Sequence, residues 1–181
     1  YAHLSDEEFR FMLQQVDGRQ RTQSKLPPFA AIDDWWYPVR LSCEQCSSEA
    51  TARYKAQLLA RITTQPSTLV DLTGGYGVDT YFMSEHYVEQ NAELCRIATH
   101  NFAYTRPQIS IHNTSAEAYL SMPTAALSNS IFFIDPARRD AHGGKVFRIE
   151  DCEPNLIQIL PIIRKHTAHI IIKLSPMIDL S

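Results

Sequence analysis

Positive charge is not in excess in this chain. Lys and Arg number 17 against 20 Asp and Glu, for a net charge of −3, so no global field draws it to a polyanion, and nucleic-acid binding would need a local basic patch. Long apolar runs are also missing. None approaches the roughly 18 residues of a membrane span. No signal peptide is visible, and a chain that begins at Tyr1 reads as part of a longer protein. Cysteine is scarce, with four in 181 residues. Cys43 and Cys46 form "CEQC", half of a zinc site, but no second close Cys or His pair completes it. The expectation is therefore no metal, no membrane, and a reduced cytoplasmic protein.

What is present is ordinary for a globular domain: 44% hydrophobic and 20% charged residues, with length enough for one sizeable core or for one domain with an appendage. Residues 1–40 read as a helical and irregular extension. In "LSDEEFRFMLQQV", Ser5 and Glu8 have capping-box spacing. Phe9, Met12, Leu13 and Val16 form an apolar stripe at helical period, and Gly18 is expected to end the helix. Residues 19–42 look irregular, with an aromatic cluster "DDWWYP" that reads as a packing anchor or, alternatively, as a nucleobase platform. Residues 41–181 read as the main domain, opening with the helix "CSSEATARYKAQLLARI", which Ser47 or Ser48 can cap.

From residue 67 the pattern becomes strand–helix alternation. Strands are expected at "STLVDL", "YVEQ", "QISIHN", "SIFFIDP" and "AHIIIKLSP", with helices between them, one of them running through Pro161. Continuous apolar runs such as Ile131–Ile134 suit strands covered on both faces. Repeated βα units imply an α/β fold with a doubly wound, mainly parallel sheet, incomplete at its C-terminal end, where the last strands fall outside the chain. Ligands on such sheets bind beyond the carboxyl ends of the strands. Only 12 positions separate Gly77 from Glu89, so the helix between them must be very short or residues are absent there.

Three of the six glycines, Gly74, Gly75 and Gly77, lie between the first strand and its helix. The dinucleotide fingerprint requires a third glycine at position 80, which is Thr80. A pyrophosphate also disfavours a nearby carboxylate such as Asp71. S-adenosylmethionine (SAM) brings an ammonium and a sulfonium instead, which Asp71 would attract. Glu89, ending the second strand, can accept hydrogen bonds from ribose hydroxyls of either cofactor.

"LSCEQCSSEATARYKAQLL", "DLTGGYGVDTYF", "YVEQNAEL", "HNFA" and "FIDPARRD" together resemble a bacterial family of class I SAM-dependent methyltransferases that carry a THUMP-like domain after the catalytic one. The resemblance spans roughly residues 35 to 180 and rests most on EQCSSE and DPARR. It implies a Rossmann-like fold, RNA as substrate, and SAM contacts at Asp71, Gly74, Gly75, Gly77 and Glu89. Asn113 or Ser115 stands where such enzymes carry an acid for the adenine amino group. Gln45, Ser47 and Ser48 resemble the segment near the methionyl end.

In class I methyltransferases acting on amino groups, the fourth strand often ends in [DN]-P-P-[YFW]. The resemblance therefore implies that Asp135 and Pro136 orient the target nitrogen, with no stacking aromatic following them, so that a flipped base would have to stack elsewhere, on an arginine plane or on Trp35, Trp36 or Tyr37. Arg138, Arg139 and Lys173 are candidates for substrate phosphate or carboxylate, although a salt bridge to Asp135 or Asp140 fits the arginines equally well. "DPARR" also resembles the DPPR of uracil-C5 enzymes, but Ser175 stands where those carry a cysteine nucleophile, which disfavours that chemistry. The rival readings are methylation of a protein or small molecule, a SAM-binding module without activity, and a nicotinamide oxidoreductase, against which the broken fingerprint argues.

Overall fold

The structure, a computed structural model, describes residues 4–62, 67–123, 127–138, 147–167, 169–174 and 178–179. Its strands are β1 (Thr68–Asp71), β2 (His86–Glu89), β3 (Ser110–Asn113), β4 (Ser130–Ile134), β5 (Ala137–Arg138), β6 (Phe147–Arg148), β7 (Cys152–Glu153), β8 (Ile170–Ile172) and β9 (Ile178–Asp179). The helices are α1 (Asp6–Thr22), α2 (Pro27–Ala30), α3 (Arg40–Gln45), α4 (Glu49–Ile62), α5 (Val78–Met83), α6 (Ala92–Thr105), α7 (Ala116–Leu120) and α8 (Leu156–Ile163). No helix among the described residues is long and apolar enough to cross a membrane.

Five strands form one parallel sheet in the order β3–β2–β1–β4–β8. Every residue of β4 is buried, as expected of a strand covered on both faces. Successive residues point to opposite faces. Leu69, Ile131 and Phe133 pack toward α4 and α5, while Val70, Phe132 and Ile134 pack toward α7 and α8. The strand order reverses direction at β1 and β4, which opens a crevice at their carboxyl ends. The short span between Gly77 and Glu89 is accommodated by a helix of only 6 residues, α5.

The N-terminal segment departs from expectation in two ways. The capping box forms, with Glu8 N–H donating to Ser5 Oγ at 3.3 Å and Ser5 N–H to Glu8 Oε2 at 2.8 Å. Gly18, however, does not end α1. It faces Tyr37 so closely that a Cβ there would lie 2.3 Å from the Tyr37 Cβ, and the helix continues to Thr22. Most of the apolar stripe does not turn inward either: Phe9, Leu13 and Val16 remain 42%, 50% and 51% exposed, and only Met12 is half-buried. The inward face carries glutamines because its partner is a strand-free backbone whose polar groups need satisfying. Gln14 and Gln15 donate from Nε2 to the Tyr37 carbonyl at 2.9 and 3.1 Å, and Tyr37 N–H donates to Gln15 Oε1 at 2.7 Å.

Residues 19–42, expected to be irregular, hold the end of α1, all of α2 and the start of α3. Pro27 opens α2, where its fixed φ suits a first helical turn. Leu26, Phe29, Trp35 and Tyr37 share one buried cluster with Tyr76, Tyr87 and Phe102. Trp35 Nε1–H donates to the Tyr76 hydroxyl at 2.8 Å, and Trp36 stacks on His100 with ring centroids 3.8 Å apart. "DDWWYP" is thus a packing anchor, and Trp35 and Tyr37 are sealed away from any nucleobase.

Candidate functional site

A cavity of about 1000 Å³ opens at the carboxyl edge of the sheet. Its walls come from the end of α3 and the loop after it, from the turn between β1 and α5, and from the residues just past β2, β3, β4 and β8. Elements that are far apart in sequence converge there because parallel strands carry all their carboxyl ends to one side.

The turn after β1 uses each glycine differently. Gly74 has no room for a side chain: a Cβ would lie 2.3 Å from the ring of the fully buried Tyr87. Gly75, at φ +53, faces open space, and a Cβ there would meet nothing nearer than the Thr73 carbonyl oxygen at 3.7 Å. Gly77, at φ +86, starts α5 and would set a Cβ 2.8 Å from Phe102. Positive φ at the last two is the region that favours glycine. Tyr87 braces the turn by donating its hydroxyl to the Gly75 carbonyl at 2.7 Å.

Glu89 lies on the wall beside this turn. Its Oε2 accepts from Gly75 N–H at 2.9 Å and its Oε1 from Asn91 N–H at 2.8 Å. Those bonds fix the carboxylate and leave further lone pairs for a ligand, since two carboxylate oxygens have about four acceptor sites.

Asp71 is not where its expected role would put it. It is fully buried and forms no part of the cavity wall. Its carboxyl accepts from Thr73 N–H at 3.0 Å, Thr73 Oγ1–H at 3.3 Å and Thr80 Oγ1–H at 2.7 Å. Burial outweighs those donors and pushes its pKa up to about 7. Asp71 therefore shapes the glycine turn from beneath. The carboxylate on the wall at this end is Asp79, in the first turn of α5. It pairs with Lys55 at 2.5 Å and accepts from Ser47 Oγ–H at 2.8 Å, while Lys55 Nζ donates to Ser47 Oγ at 2.8 Å. Ser47 and Gln45 both line the cavity. Ser48 caps α4, accepting from Thr51 N–H at 3.2 Å.

At the third strand the expectation is half met. Asn113 is not on the wall, because its Nδ2 donates to the carbonyls of Glu89 and Gln90 at 3.0 and 3.1 Å. Ser115 is on the wall but caps α7, accepting from Ala118 N–H at 3.2 Å. The acid that lines this side is Glu117, two residues further on. Glu117 reaches the wall because Ser115 caps α7 and sets the acid in its first turn.

Asp135 and Pro136 line the far wall with Lys173. Lys173 Nζ donates to Asp135 Oδ2 at 2.5 Å, and Asp135 N–H donates to Thr73 Oγ1 at 2.7 Å. Thr73 was legible only as a turn residue, yet it joins Asp71 to Asp135. In β5 the backbone of Arg138 pairs with Cys152, and Arg139 and Ser175 lie outside the described residues. Cys43 and Cys46 are free. Burial pushes the Cys43 thiol up to about 12, and its S–H donates to Pro38 O at 3.4 Å. Among the described residues no group of three or more His, Cys, Asp or Glu is arranged to hold a metal.

Five carboxylates, Asp79, Glu89, Glu117, Asp135 and Glu153, line the cavity, against one cation among its described wall residues, Lys173.

A crystal structure named "putative methyltransferase", from Porphyromonas gingivalis W83, is similar to this chain at a TM-score of 0.79 and 32% sequence identity, over 98% of this chain and 44% of that one. The fold is Rossmann-like α/β. The chain spans less than half the length of that relative. A second structure, named "SAM Dependent Methyltransferase", from Agrobacterium tumefaciens, is 18% identical at a TM-score of 0.45, over 71% of this chain and 41% of its own. No family model and no curated protein matches the chain.

Proposed function

We propose that this chain is the catalytic part of a SAM-dependent methyltransferase that methylates a nitrogen of an RNA base. The observation that carries the cofactor is the acidic wall beside a glycine turn. A dinucleotide would set its pyrophosphate beside Glu89 and Glu117, with Asp79 already paired to Lys55 and no cation on the described wall near the turn. A cofactor with a sulfonium, an ammonium and no phosphate suits those carboxylates. Glu89, pinned by Gly75 N–H and Asn91 N–H, would hold the ribose hydroxyls, Glu117 or the Ser115 loop the adenine side, and Gln45, Ser47 and Asp79 the amino-acid end.

SAM supplies an electrophilic methyl group on a positively charged sulfur. The chain's own part is to aim the nucleophile. Asp135 accepts the target N–H, points the nitrogen lone pair into the cavity and is placed to take up the released proton. A hydrogen bond to a charged group contributes about 1.5–3 kcal/mol, and orienting the two reactants removes up to roughly 7–11 kcal/mol of barrier. An RNA backbone is repelled by the acidic cavity itself. The grip on RNA therefore falls to groups other than these carboxylates, with the arginines of "DPARR" and the THUMP-like domain of the family that the sequence resembles as the candidates.

Calorimetry with S-adenosylhomocysteine and with NAD tests the cofactor. S-adenosylhomocysteine binds and NAD does not on this reading, and micromolar binding of NAD alone overturns it. A comparison of methylated nucleosides in RNA from cells with and without the gene tests the substrate, and an unchanged profile moves the assignment to a protein or small-molecule target.

A further inference from the structure

We infer that Asp135 and Lys173 act together as a two-point reader, so that the accepted nitrogen is an exocyclic amino group of a nucleobase, flanked by a ring-nitrogen acceptor, and not an aliphatic amine. The inference rests on the methyl-transfer reading above and names its substrate chemistry more narrowly.

The pair is set by the sheet. β4 and β8 are parallel, with Ile134 in register with Ile172, and Lys173 N–H donates to the Ile134 carbonyl at 2.9 Å. One residue further on, Asp135 and Lys173 leave the sheet side by side. Their side chains are 31% and 37% exposed and both line the cavity. The Asp135 backbone is held from the other side by Thr73 Oγ1, so the carboxylate has a fixed base. Lys173 occupies Oδ2 and leaves Oδ1 without a partner among the described residues. An ammonium has three donors, and one of those of Lys173 goes to Asp135. An acceptor and a donor therefore stand next to each other, facing one cavity.

A ligand satisfies both only if it carries a donor beside an acceptor. Adenine offers N6–H beside a ring nitrogen, cytosine N4–H beside N3, and guanine N2–H beside N3. A lysine-like ammonium offers no acceptor, brings a second positive charge next to Lys173 and has no lone pair while protonated. Uracil has no exocyclic amine. Lys173 is on this view a substrate contact that selects the edge, and not one member of a phosphate-binding patch.

The test uses the full-length protein with tritiated SAM and, as probes, total RNA and total protein from cells lacking the gene. Labelled RNA is digested to nucleosides and labelled protein to amino acids. The expected label is in N-methylated adenosine, cytidine or guanosine. Lys173→Met lowers kcat/KM at least ten-fold while S-adenosylhomocysteine binding, measured by calorimetry, is unchanged, and Lys173→Arg retains more activity than Lys173→Met. Label in any methylated amino acid, methyl-lysine or the methylated carboxamide of glutamine or asparagine, in carbon- or ribose-methylated nucleosides, or in neither pool overturns the proposal, as does an undiminished rate for Lys173→Met. Absence of S-adenosylhomocysteine binding to the unaltered protein is a different result: it removes the cofactor reading itself.

Discussion

The backbone N–H of Asp135 donates to the hydroxyl of Thr73 at 2.7 Å, which fastens the turn after β4 to the turn after β1. The same hydroxyl donates to Asp71 Oδ1 at 3.3 Å. One threonine thus sets the position of the proposed nitrogen-orienting carboxylate relative to the proposed cofactor turn.

Replacing Thr73 with valine keeps the volume and removes both bonds. It leaves the Asp135 N–H without its partner, at a cost of about 1–3 kcal/mol. Urea unfolding reads the stability loss, and single-turnover assays read a fall in kcat with little change in S-adenosylhomocysteine affinity. Thr73→Ser restores both. A valine variant that unfolds and turns over like the unaltered protein would remove the link.

Asp71 makes stability depend on pH in a defined direction. Its folded pKa is raised to about 7 from an ordinary 3.8. The folded state therefore holds a proton that the unfolded state has lost, and stability falls as pH rises from about 4 to 7. The full difference amounts to roughly 4 kcal/mol. Asp71→Asn abolishes that slope, so the stability of the variant relative to the unaltered protein improves from pH 4 to pH 8. Parallel pH profiles for the two proteins would refute the assignment.

Lys55 and Asp79 pair at 2.5 Å with side chains only 9% and 10% exposed. Removing one partner leaves a buried charge, which costs about 3–5 kcal/mol. Lys55→Met is accordingly expected to be strongly destabilising, and Lys55→Met combined with Asp79→Asn to recover much of the loss. A double-mutant cycle by thermal or urea unfolding measures the coupling; additive effects would show that the pair is not coupled.

The glycines separate into two kinds. Gly74→Ala drives a methyl into the Tyr87 ring, and overpacking of this sort costs about 1–3 kcal/mol or more. Gly75→Ala meets no close neighbour and carries only its positive φ of +53, a cost of roughly 1–2 kcal/mol. The contrast should appear most clearly in expression and melting temperature, with Gly74→Ala the more damaged. Equal melting temperatures would mean that Tyr87 yields readily.

The strand–helix alternation was legible because it is written in local signals. Ser5, Asn91, Ser115 and Asn155 cap helices at or beside the expected starts, and apolar runs such as Ile131–Ile134 are buried as the pattern requires. The parts of the site contributed by single turns were legible for the same reason: Glu89 and the glycines of the β1 turn line the cavity. Local pattern misread α1, where Phe9, Leu13 and Val16 have helical spacing but Gln14, Gln15 and Gly18 face the core. Hydrophobic period predicts a buried face only when the partner is apolar, and here part of the partner is the Tyr37 backbone, which Gln14 and Gln15 satisfy.

By itself, the sequence determined which residues reach the carboxyl edge of the sheet: Asp71, Glu89, Asp135 and Lys173 each end or follow a strand, and strand ends follow from composition and turn chemistry over a few neighbours. Only the tertiary structure decided what those residues do there. Asp71 is sealed beneath the glycine turn, Asp79 and Glu117 reach the wall in place of Asp71 and Asn113, and Lys173 meets an aspartate 38 residues away. Burial and strand register depend on which elements pack against one another, and no local pattern encodes that. The carboxylates in the sequence are chemically alike; packing made one a buried strut with a raised pKa and another a candidate partner for a nitrogen.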